Sequence, residues 1–392
     1  MTPSARTQAA IELLDEIIAA ARDGGPAADT LIARYFRTRR YAGSKDRRAV
    51  RDLIYAAIRR AGERPESGRA ALAGLAADQP ELAACFDGSA HGPAPLLRGE
   101  PVAASGIAPG WLVEKLALSL APDELPALLE RAPLDLRVNR LKADRATLLA
   151  AIPEAEPGQL SADAIRLPEG FAAEARPEWE KGWFEVQDEG SQLIAAACAS
   201  RPGMTVVDLC AGAGGKTLAL AADMEGQGRL IACDADRSRL SRLTPRAERA
   251  GAALIETRLL DAGREQAALA DLAHGADVVL VDAPCSGTGT WRRNPEARWR
   301  LTPERLLRLT ELQARLADVA AMLVRPGGSL IYAVCSLLDE EGADQVAAFL
   351  SRQPGWRTEP LAFGRARGGG AMLTPARDHS DGFFVARLRA PC

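Results

Sequence analysis

The sequence predicts an α/β protein with a mostly parallel sheet and an antiparallel edge, preceded by a small α+β subdomain and an amino-terminal helical domain. Three observations carry this. From residue 183 onward, short and almost wholly apolar runs alternate with stretches of helical period, the pattern of parallel strands covered on both faces. The last two apolar runs, AMLTP and GFFVARL, have no helical stretch between them, so they read as an antiparallel edge. The first ~85 residues show helical periodicity alone.

At 392 residues the chain is long enough for two or three domains. Its 47% hydrophobic and 26% charged residues, with a mean hydropathy of -0.10, exclude a disordered or membrane-spanning chain. The start, MTPSARTQAAIELLDEI, places acids inside its first apolar run and lacks the uninterrupted apolar core of ~7 to 15 residues that a secretory signal needs, so a cytoplasmic protein is expected. Seven cysteines form no C-x-x-C pair and no His cluster accompanies them. A disulfide framework and a metal site both lose support.

In chain order, Ile11, Leu14, Ile17 and Ile18 mark one helix, and Ala49, Leu53, Ala56 and Ala57 another, with Ser44 as its cap. Residues 1–86 form the helical domain. Between Arg34 and Arg60 lie ten Lys or Arg against Asp46 and Asp52, a contact surface for a polyanion or a solvated helical face. Residues 87–106, rich in Gly, Pro and Ala, read as a linker. The α+β subdomain, 107–182, has a helix over 111–120, strands over 134–139 and 164–168, and a helix over 145–152 between them. Residues 183–392 form the main domain: strands over 205–209, 229–234, 253–257, 277–283 and 329–335, with helices over 191–199, 217–224, 238–250, 304–323 and 343–350.

The first of these strands runs into Cys210-Ala211-Gly212-Ala213-Gly214-Gly215-Lys216-Thr217. Glycines at a strand-to-helix turn let a ligand approach the backbone beside a helix amino terminus. A P-loop would need glycine where Cys210 stands, and the dinucleotide fingerprint would need one where Thr217 stands. A nucleoside-binding loop of a third kind remains. Asp234 ends the next strand 26 residues after Asp208, near the offset at which an acid accepts ribose hydroxyls. Asp236 is its rival, as ligand or helix cap, and Asp261 comes after the third strand as an adenine-side ligand or a plain loop residue. The strand over 277–283 delivers Asp282 and Cys285 to the sheet's carboxyl edge, and the strand over 329–335 delivers Cys335 there too. One free cysteine is commonly a small buried hydrophobe; two converging beside a carboxylate point to catalysis. Lys216 stands nearby in a chain with only five lysines among 49 basic residues, and a helix start disfavours a cation. A compact ammonium there can orient Asp282 or favour a thiolate.

These residues resemble the RNA cytosine carbon-5 methyltransferases, in particular the bacterial small-subunit rRNA (RsmB) type. The likeness runs from about Pro109 to Leu388 through VQDEGSQL (186–193), DLCAGAGGKT (208–217), VDAPCSGTG (281–289), RRNPEARW (292–299), YAVCSLLDEEG (332–342) and DGFFVARL (381–388). The early helices look like a short, diverged NusB-like RNA-binding domain. The resemblance implies a Rossmann-like methyltransferase domain, S-adenosyl-L-methionine as cofactor, RNA as partner, and neither a metal nor an obligate protein partner. It implies cofactor binding by Cys210, Ala211, Gly212, Ala213, Gly214, Gly215, Lys216, Asp234, Asp261 and Asp282. It also implies attack on cytosine carbon 6 by Cys335, ring binding by Asp282, and release of the product assisted by Cys285, with Lys216 beside them. The sequence departs from the family at Gly212 and Ala213, where alanine and proline are usual, and at Val334, usually threonine. Trp291 and Trp299, with Arg292, Arg293, Arg298 and Arg300, are expected to offer cations and stacking faces near the site, or to pack against the sheet. A non-catalytic RNA-binding assembly factor with the same fold is the alternative, and a methyltransferase for DNA or adenine fits the cysteine pair and early domain less well.

Overall fold

The computed structural model describes residues 1–392, which divide into two compact units. The first comprises 1–131 and 290–303, the second 132–289 and 304–392. These units cut the chain elsewhere than at the expected boundaries of 86, 106 and 182. The segment after the Cys285 loop belongs with the early helices, and 132–182 with the large sheet.

In the first unit, helices α1 (Pro3–Asp23), α2 (Ala28–Thr38), α3 (Ser44–Arg60) and α4 (Gly68–Asp78) enclose one core. Thr2 and Ser67 cap α1 and α4 through their hydroxyls, and Gly24, in the left-handed conformation, ends α1. Gly68 passes so close to the α1 backbone that a Cβ would overlap the Ile11 carbonyl. The buried stripe of α3 is Val50, Ile54, Ala57 and Ile58, which shares only Ala57 with the expected 49, 53, 56 and 57. The two isoleucines carry more apolar area than the alanines and rotate the helix to bury themselves. Gly43, not Ser44, is its cap residue, and Asp46 accepts the Gly43 N–H. The expected linker is packed down instead of free: the Ala103 N–H bonds the Ala70 carbonyl, Arg60 the Ala103 carbonyl, and Arg69 the carbonyls of Ala94 and Pro95.

Segment 290–303 overturns the expectation for the Trp and Arg residues. Trp291, Arg298 and Trp299 are 1%, 0% and 3% exposed, so none offers an open face, and Trp299 belongs to the helical core. Arg298 donates to the carbonyls of Ile58, Arg59 and Ala61 at the end of α3, Trp299 Nε1 donates to Ala61, and Glu296 accepts the Ala28 N–H at the start of α2. Both are helix ends whose backbone groups have no partner inside the helix.

The second unit holds two sheets. Strands β1 (Leu134–Val138), β2 (Glu156–Pro157), β3 (Ala164–Leu167) and β4 (Phe184–Val186) form a small antiparallel sheet in the order β2-β3-β1-β4. The large sheet contains β5 (Thr205–Asp208), β6 (Arg229–Asp234), β7 (Ile255–Leu259), β8 (Ala276–Asp282), β9 (Val324–Val334), β10 (Arg357–Glu359), β11 (Arg365–Arg367), β12 (Gly370–Leu373) and β13 (Phe383–Arg389). Its order is β11-β12-β13-β9-β8-β5-β6-β7, with β10 also paired to β13. Strands β7-β6-β5-β8-β9 are parallel, and β13 turns antiparallel against β9 as expected. The short, Arg-rich β10 and β11 carry no apolar run and escaped the pattern. The helix expected over 238–250 is two pieces, Arg237–Leu240 and Leu243–Ala250. Pro245, in the first turn of the second piece, cannot donate back into the first. No helix is long and apolar enough to cross a membrane.

Strand order reverses direction of growth between β5 and β8, and the crevice beyond the carboxyl ends at such a point is where open α/β sheets bind ligands.

Candidate active site

At that crevice lies an open cleft of about 180 Å³, lined by Gln187, Ser191, Asp208, Cys210, Ala211, Gly212, Ala213, Gly215, Lys216, Arg239 and Asp282. Its floor is the loop from β5 to the helix Gly215–Asp223. Gly212 and Gly214 take φ of 55° and 87°, and a Cβ on Gly214 would also overlap Leu243. The turn therefore needs glycine at 214 for conformation and for space. The loop is held from two sides. Asp234 accepts the Gly212 N–H at 2.7 Å, and Arg246 donates to the Ala213 carbonyl at 2.6 Å while paired with the buried Glu185 of β4.

Of the expected cofactor residues, Cys210, Ala211, Gly212, Ala213, Gly215, Lys216 and Asp282 line the cleft. Gly214 shapes it from behind, and Asp234 sits at its rim with its two oxygens on the N–H groups of Gly212 and Asp236. Asp236 caps a short helix. Asp261 lies in an exposed turn beyond β7 and is not part of the lining. Gln187, Ser191 and Arg239 escaped the sequence reading. Gln187 donates to Ser191 at 3.2 Å and accepts from the buried Arg137 at 2.6 Å. The VQDEGSQL run was the available signal for the first two; nothing near Arg239 distinguished it.

Asp208, at the end of β5, is 1% exposed. One carboxylate oxygen accepts the Thr217 hydroxyl at 2.6 Å, and the other has no protein partner. Burial, opposed by the Thr217 hydrogen bond and reinforced by Asp282, raises its carboxyl from the ordinary 3.8 to about 7. In the unfolded chain the group ionises near 4, in the folded chain only near 7, so the folded state binds the extra proton between those values. Stability is therefore lost as pH rises through that window, by about 1.4 kcal/mol per unit at most. Asp208→Asn is expected to flatten this dependence. Thermal melts of both proteins at pH 5 and pH 8 check it, the variant gaining on the wild type at the higher pH.

The chemistry-bearing side chains converge at the mouth. Lys216 Nζ is 2.7 Å from Asp282 Oδ2, its side chain 12% exposed, so it is no solvent-facing lysine. Burial works against the ammonium, but the charge and hydrogen bond of Asp282, together with Cys335 and Asp208, outweigh it and raise its pKa. Cys285, beyond β8, and Cys335, beyond β9, bring their sulfurs to 3.3 Å. That is hydrogen-bond range for two thiols and far outside the ~2.05 Å of a disulfide. The hydrogen bond to Cys335, burial, and the charges of Cys335 and Glu341 all push the Cys285 thiol well up.

The two cysteine-bearing loops are laced together. The Gly289 N–H bonds the Cys335 carbonyl at 3.1 Å, the Ser336 hydroxyl meets those of Ser286 and Thr288 at 3.1 Å each, and the Leu337 N–H bonds Thr288 at 2.8 Å. Gly382 passes so close to Gly289 that neither could carry a Cβ unchanged. The result is a preformed pair of sulfurs, an ion pair and a glycine-floored cleft at one sheet edge. It can hold a nucleoside-like ligand beside a thiol nucleophile and a second thiol that carries a proton.

Comparison with known proteins agrees with this geometry. Residues 195–389 match the family described as 16S rRNA methyltransferase RsmB/F. A Synechocystis sp. protein named "Probable ribosomal RNA small subunit methyltransferase B" is 33% identical over 300 residues, covering 72% of this chain and 66% of its own length. The Salmonella typhi ribosomal RNA small subunit methyltransferase B is 35% identical over 288 residues, covering 71% of this chain and again 66% of its own. The matched stretch thus spans about two thirds of the length of these relatives. Among solved structures, one described as PH0851 superposes with a TM-score of 0.77 over 99% of both chains at 23% identity. The NSun6 structure from Pyrococcus horikoshii with SFG gives 0.64 over 72% of this chain and 98% of that one, at 20% identity. At these identities the two likenesses bear on the fold.

Proposed function

Because the chain belongs, through residues 195–389, to the RsmB/F family of 16S rRNA methyltransferases, we propose that it moves a methyl group from S-adenosyl-L-methionine to carbon 5 of a cytosine in small-subunit rRNA, by way of a covalent bond between Cys335 and the base. The observation that carries this reading is the pair of sulfurs 3.3 Å apart beside Lys216 and Asp282, at the edge of the glycine-floored cleft.

The cleft fits the cofactor. Asp208 offers a buried, unpartnered carboxylate oxygen to a ligand donor or cation, and the glycine turn leaves room for a ligand against its backbone. When bound, S-adenosylmethionine supplies an electrophilic methyl on a sulfonium sulfur. Cys210, Gly212 and Gly215 would form the floor beneath it, with Asp234 at the nucleoside end.

The rest is work for this chain's own residues. Carbon 5 of cytosine is a weak nucleophile, and a thiolate adding to carbon 6 makes it enamine-like, which divides one hard step into two easier ones. Cys335 is that thiolate: Lys216 stands near it, and Cys285 is the partner whose thiol is pushed well up. Asp282, oriented by Lys216, accepts a hydrogen bond from the exocyclic amine, and from the ring nitrogen once that atom takes up a proton as the thiolate adds. Capture of the base takes the anionic charge off Cys335, so Cys285 can release its own proton to solvent and, once carbon 5 holds the methyl, accept the carbon 5 proton. The electron pair of that C–H bond re-forms the ring double bond, and the Cys335–carbon 6 bond breaks. A base stacked in a duplex cannot reach such a pocket, so the target is single-stranded, looped or flipped out. In the helical unit, Arg34 and Arg51 are paired with acids, whereas Arg37, Arg40, Lys45 and Arg48 are exposed around Tyr41, itself 73% exposed. These four cations, with Tyr41 as a stacking face, would hold the RNA backbone.

The test is transfer of labelled methyl from S-adenosylmethionine to 16S rRNA by the purified protein, followed by bisulfite sequencing. One cytosine protected from conversion is the expected result. Absence of incorporation into naked and partly assembled rRNA alike would favour the non-catalytic assembly factor, and label outside cytosine would overturn the carbon 5 assignment.

A further inference from the structure

Beside the sulfur pair lies a buried carboxylate that the mechanism above leaves unused. Glu341, in the turn Asp339–Glu341 after β9, is 0% exposed. One of its oxygens accepts the Ser286 N–H at 2.8 Å and the Gln313 side-chain amide at 2.9 Å, and the other accepts the Ser286 hydroxyl. Gln313, also 0% exposed on the helix Pro303–Leu323, donates from the same nitrogen to the Pro284 carbonyl at 2.9 Å. The carboxylate is thereby fastened to the residues on both sides of Cys285.

All of these donors are neutral. A buried ion held by neutral donors is tolerated, but its charge is not cancelled, and in a poorly screened interior its field acts on whatever lies next to it. The residue next to it is Cys285. Facing the sulfur pair from the other elements are the Lys216–Asp282 ion pair, at the start of the helix Gly215–Asp223 and the end of β8, and Tyr332 of β9, whose hydroxyl donates to the Glu341 carbonyl oxygen at 2.7 Å. The Gly287 N–H acts in the opposite sense on Cys285. An anion thus stands behind one sulfur and an ammonium bears on the other.

We propose that Glu341 is a positioning residue that polarises the sulfur pair, keeping negative charge off Cys285 and on Cys335. The hydroxyl ladder of Ser286, Ser336 and Thr288 keeps the two loops in register, so the polarity is built into the resting protein. It also explains how two chemically identical side chains of similar exposure take different parts: the thiol that keeps its proton in the resting protein is the one whose neighbour is a carboxylate. The significance for catalysis rests on the methyl-transfer reading, whereas the polarity itself needs neither RNA nor cofactor.

Alkylation by iodoacetamide between pH 7 and pH 9, with peptide mass mapping and neither RNA nor cofactor present, tests it, because only the thiolate reacts appreciably. In the wild type, Cys335 is expected to be labelled at least about tenfold faster than Cys285. Glu341→Gln, of the same shape without the charge, is expected to bring the two rates within about threefold, with labelling of Cys285 beginning at lower pH. Glu341→Asp, which keeps the charge, should restore the preference. Equal labelling in the wild type, or an unchanged ratio in a Glu341→Gln protein that melts like the wild type, overturns the proposal. Should Glu341→Gln fail to fold, Gln313→Lys sets an ammonium against the same carboxylate and must give the same loss of preference; an unchanged ratio there overturns the proposal as well. A wild type that shows the preference yet transfers no methyl sustains the polarity and overturns the methyl-transfer reading instead.

Discussion

Cys335→Ala is expected to reduce methyl incorporation to less than about one ten-thousandth of the wild-type rate, the scale on which loss of a covalent nucleophile is felt. Alanine leaves β9 and its pairing with β8 and β13 intact, since the side chain lies beyond the last paired residue, Val334. A melting temperature near that of the wild type should accompany the loss. The partner substitution has a different signature. In Cys285→Ala the nucleophile and the cleft remain, so the base is captured and methylated, but the step that frees Cys335 is impaired. A protein–RNA adduct that survives a denaturing gel is expected with Cys285→Ala and absent from Cys335→Ala and from the double variant. Normal turnover in Cys335→Ala would remove that residue from the nucleophile's role, and an adduct in Cys335→Ala but not in Cys285→Ala would exchange the two roles.

Arg298→Met is expected to destabilise the helical unit by about 3 to 5 kcal/mol, the range for removing one member of a buried charged network. The guanidinium is fully buried and donates to Ile58, Arg59, Ala61 and Pro295 carbonyls. Burial lowers its own pKa to about 9 even with Glu296 nearby, which measures how much the site costs a charge. Methionine fills much of the same volume but offers no donor, so the carbonyls that end α3 lose their partners in a place water does not reach. Urea denaturation followed by circular dichroism checks it. A change below about 0.5 kcal/mol, the size of an ordinary surface substitution, would show that the arginine is not what closes α3. Because residue 290 comes directly after the loop that carries Cys285, deletion of residues 1–131 is not a neutral truncation: it removes Ile58, Arg59 and Ala61, the partners of the buried Arg298 and Trp299.

Much of the fold was legible because local patterns report directly on it. Apolar runs of four to seven residues at 205–208, 229–234 and 276–282 have few ways to be buried other than as central parallel strands, and the gap between the last two runs, which holds only the one-turn helix Pro375–Asp378, is too short for a parallel crossover and allowed only an antiparallel edge. Four short strands went unseen, β2, β4, β10 and β11; the last two are three-residue, half-exposed segments whose pairing is supplied by β13 and β12, not by any pattern of their own. Helix α3 shows the limit of periodicity: several faces were apolar enough, and the choice fell to the one with the two isoleucines.

The same division holds at the site. By itself the amino-acid order determined which chemistry is available: glycines at 212 and 214 in a strand-to-helix turn, a carboxylate and a thiol after β8, and a second thiol after β9, because the strands of a parallel sheet all end at one edge and bring the residues just past them together there. Only the tertiary structure decided the 3.3 Å between the sulfurs, the buried Glu341 placed beside Cys285, and the removal of Arg298 and Trp299 into the helical unit. Those depend on contacts between residues as far apart as Ile58 and Arg298 or Ser286 and Glu341, and on what burial does to charge. Neither distance nor dielectric is written along the chain; both arise when it closes on itself.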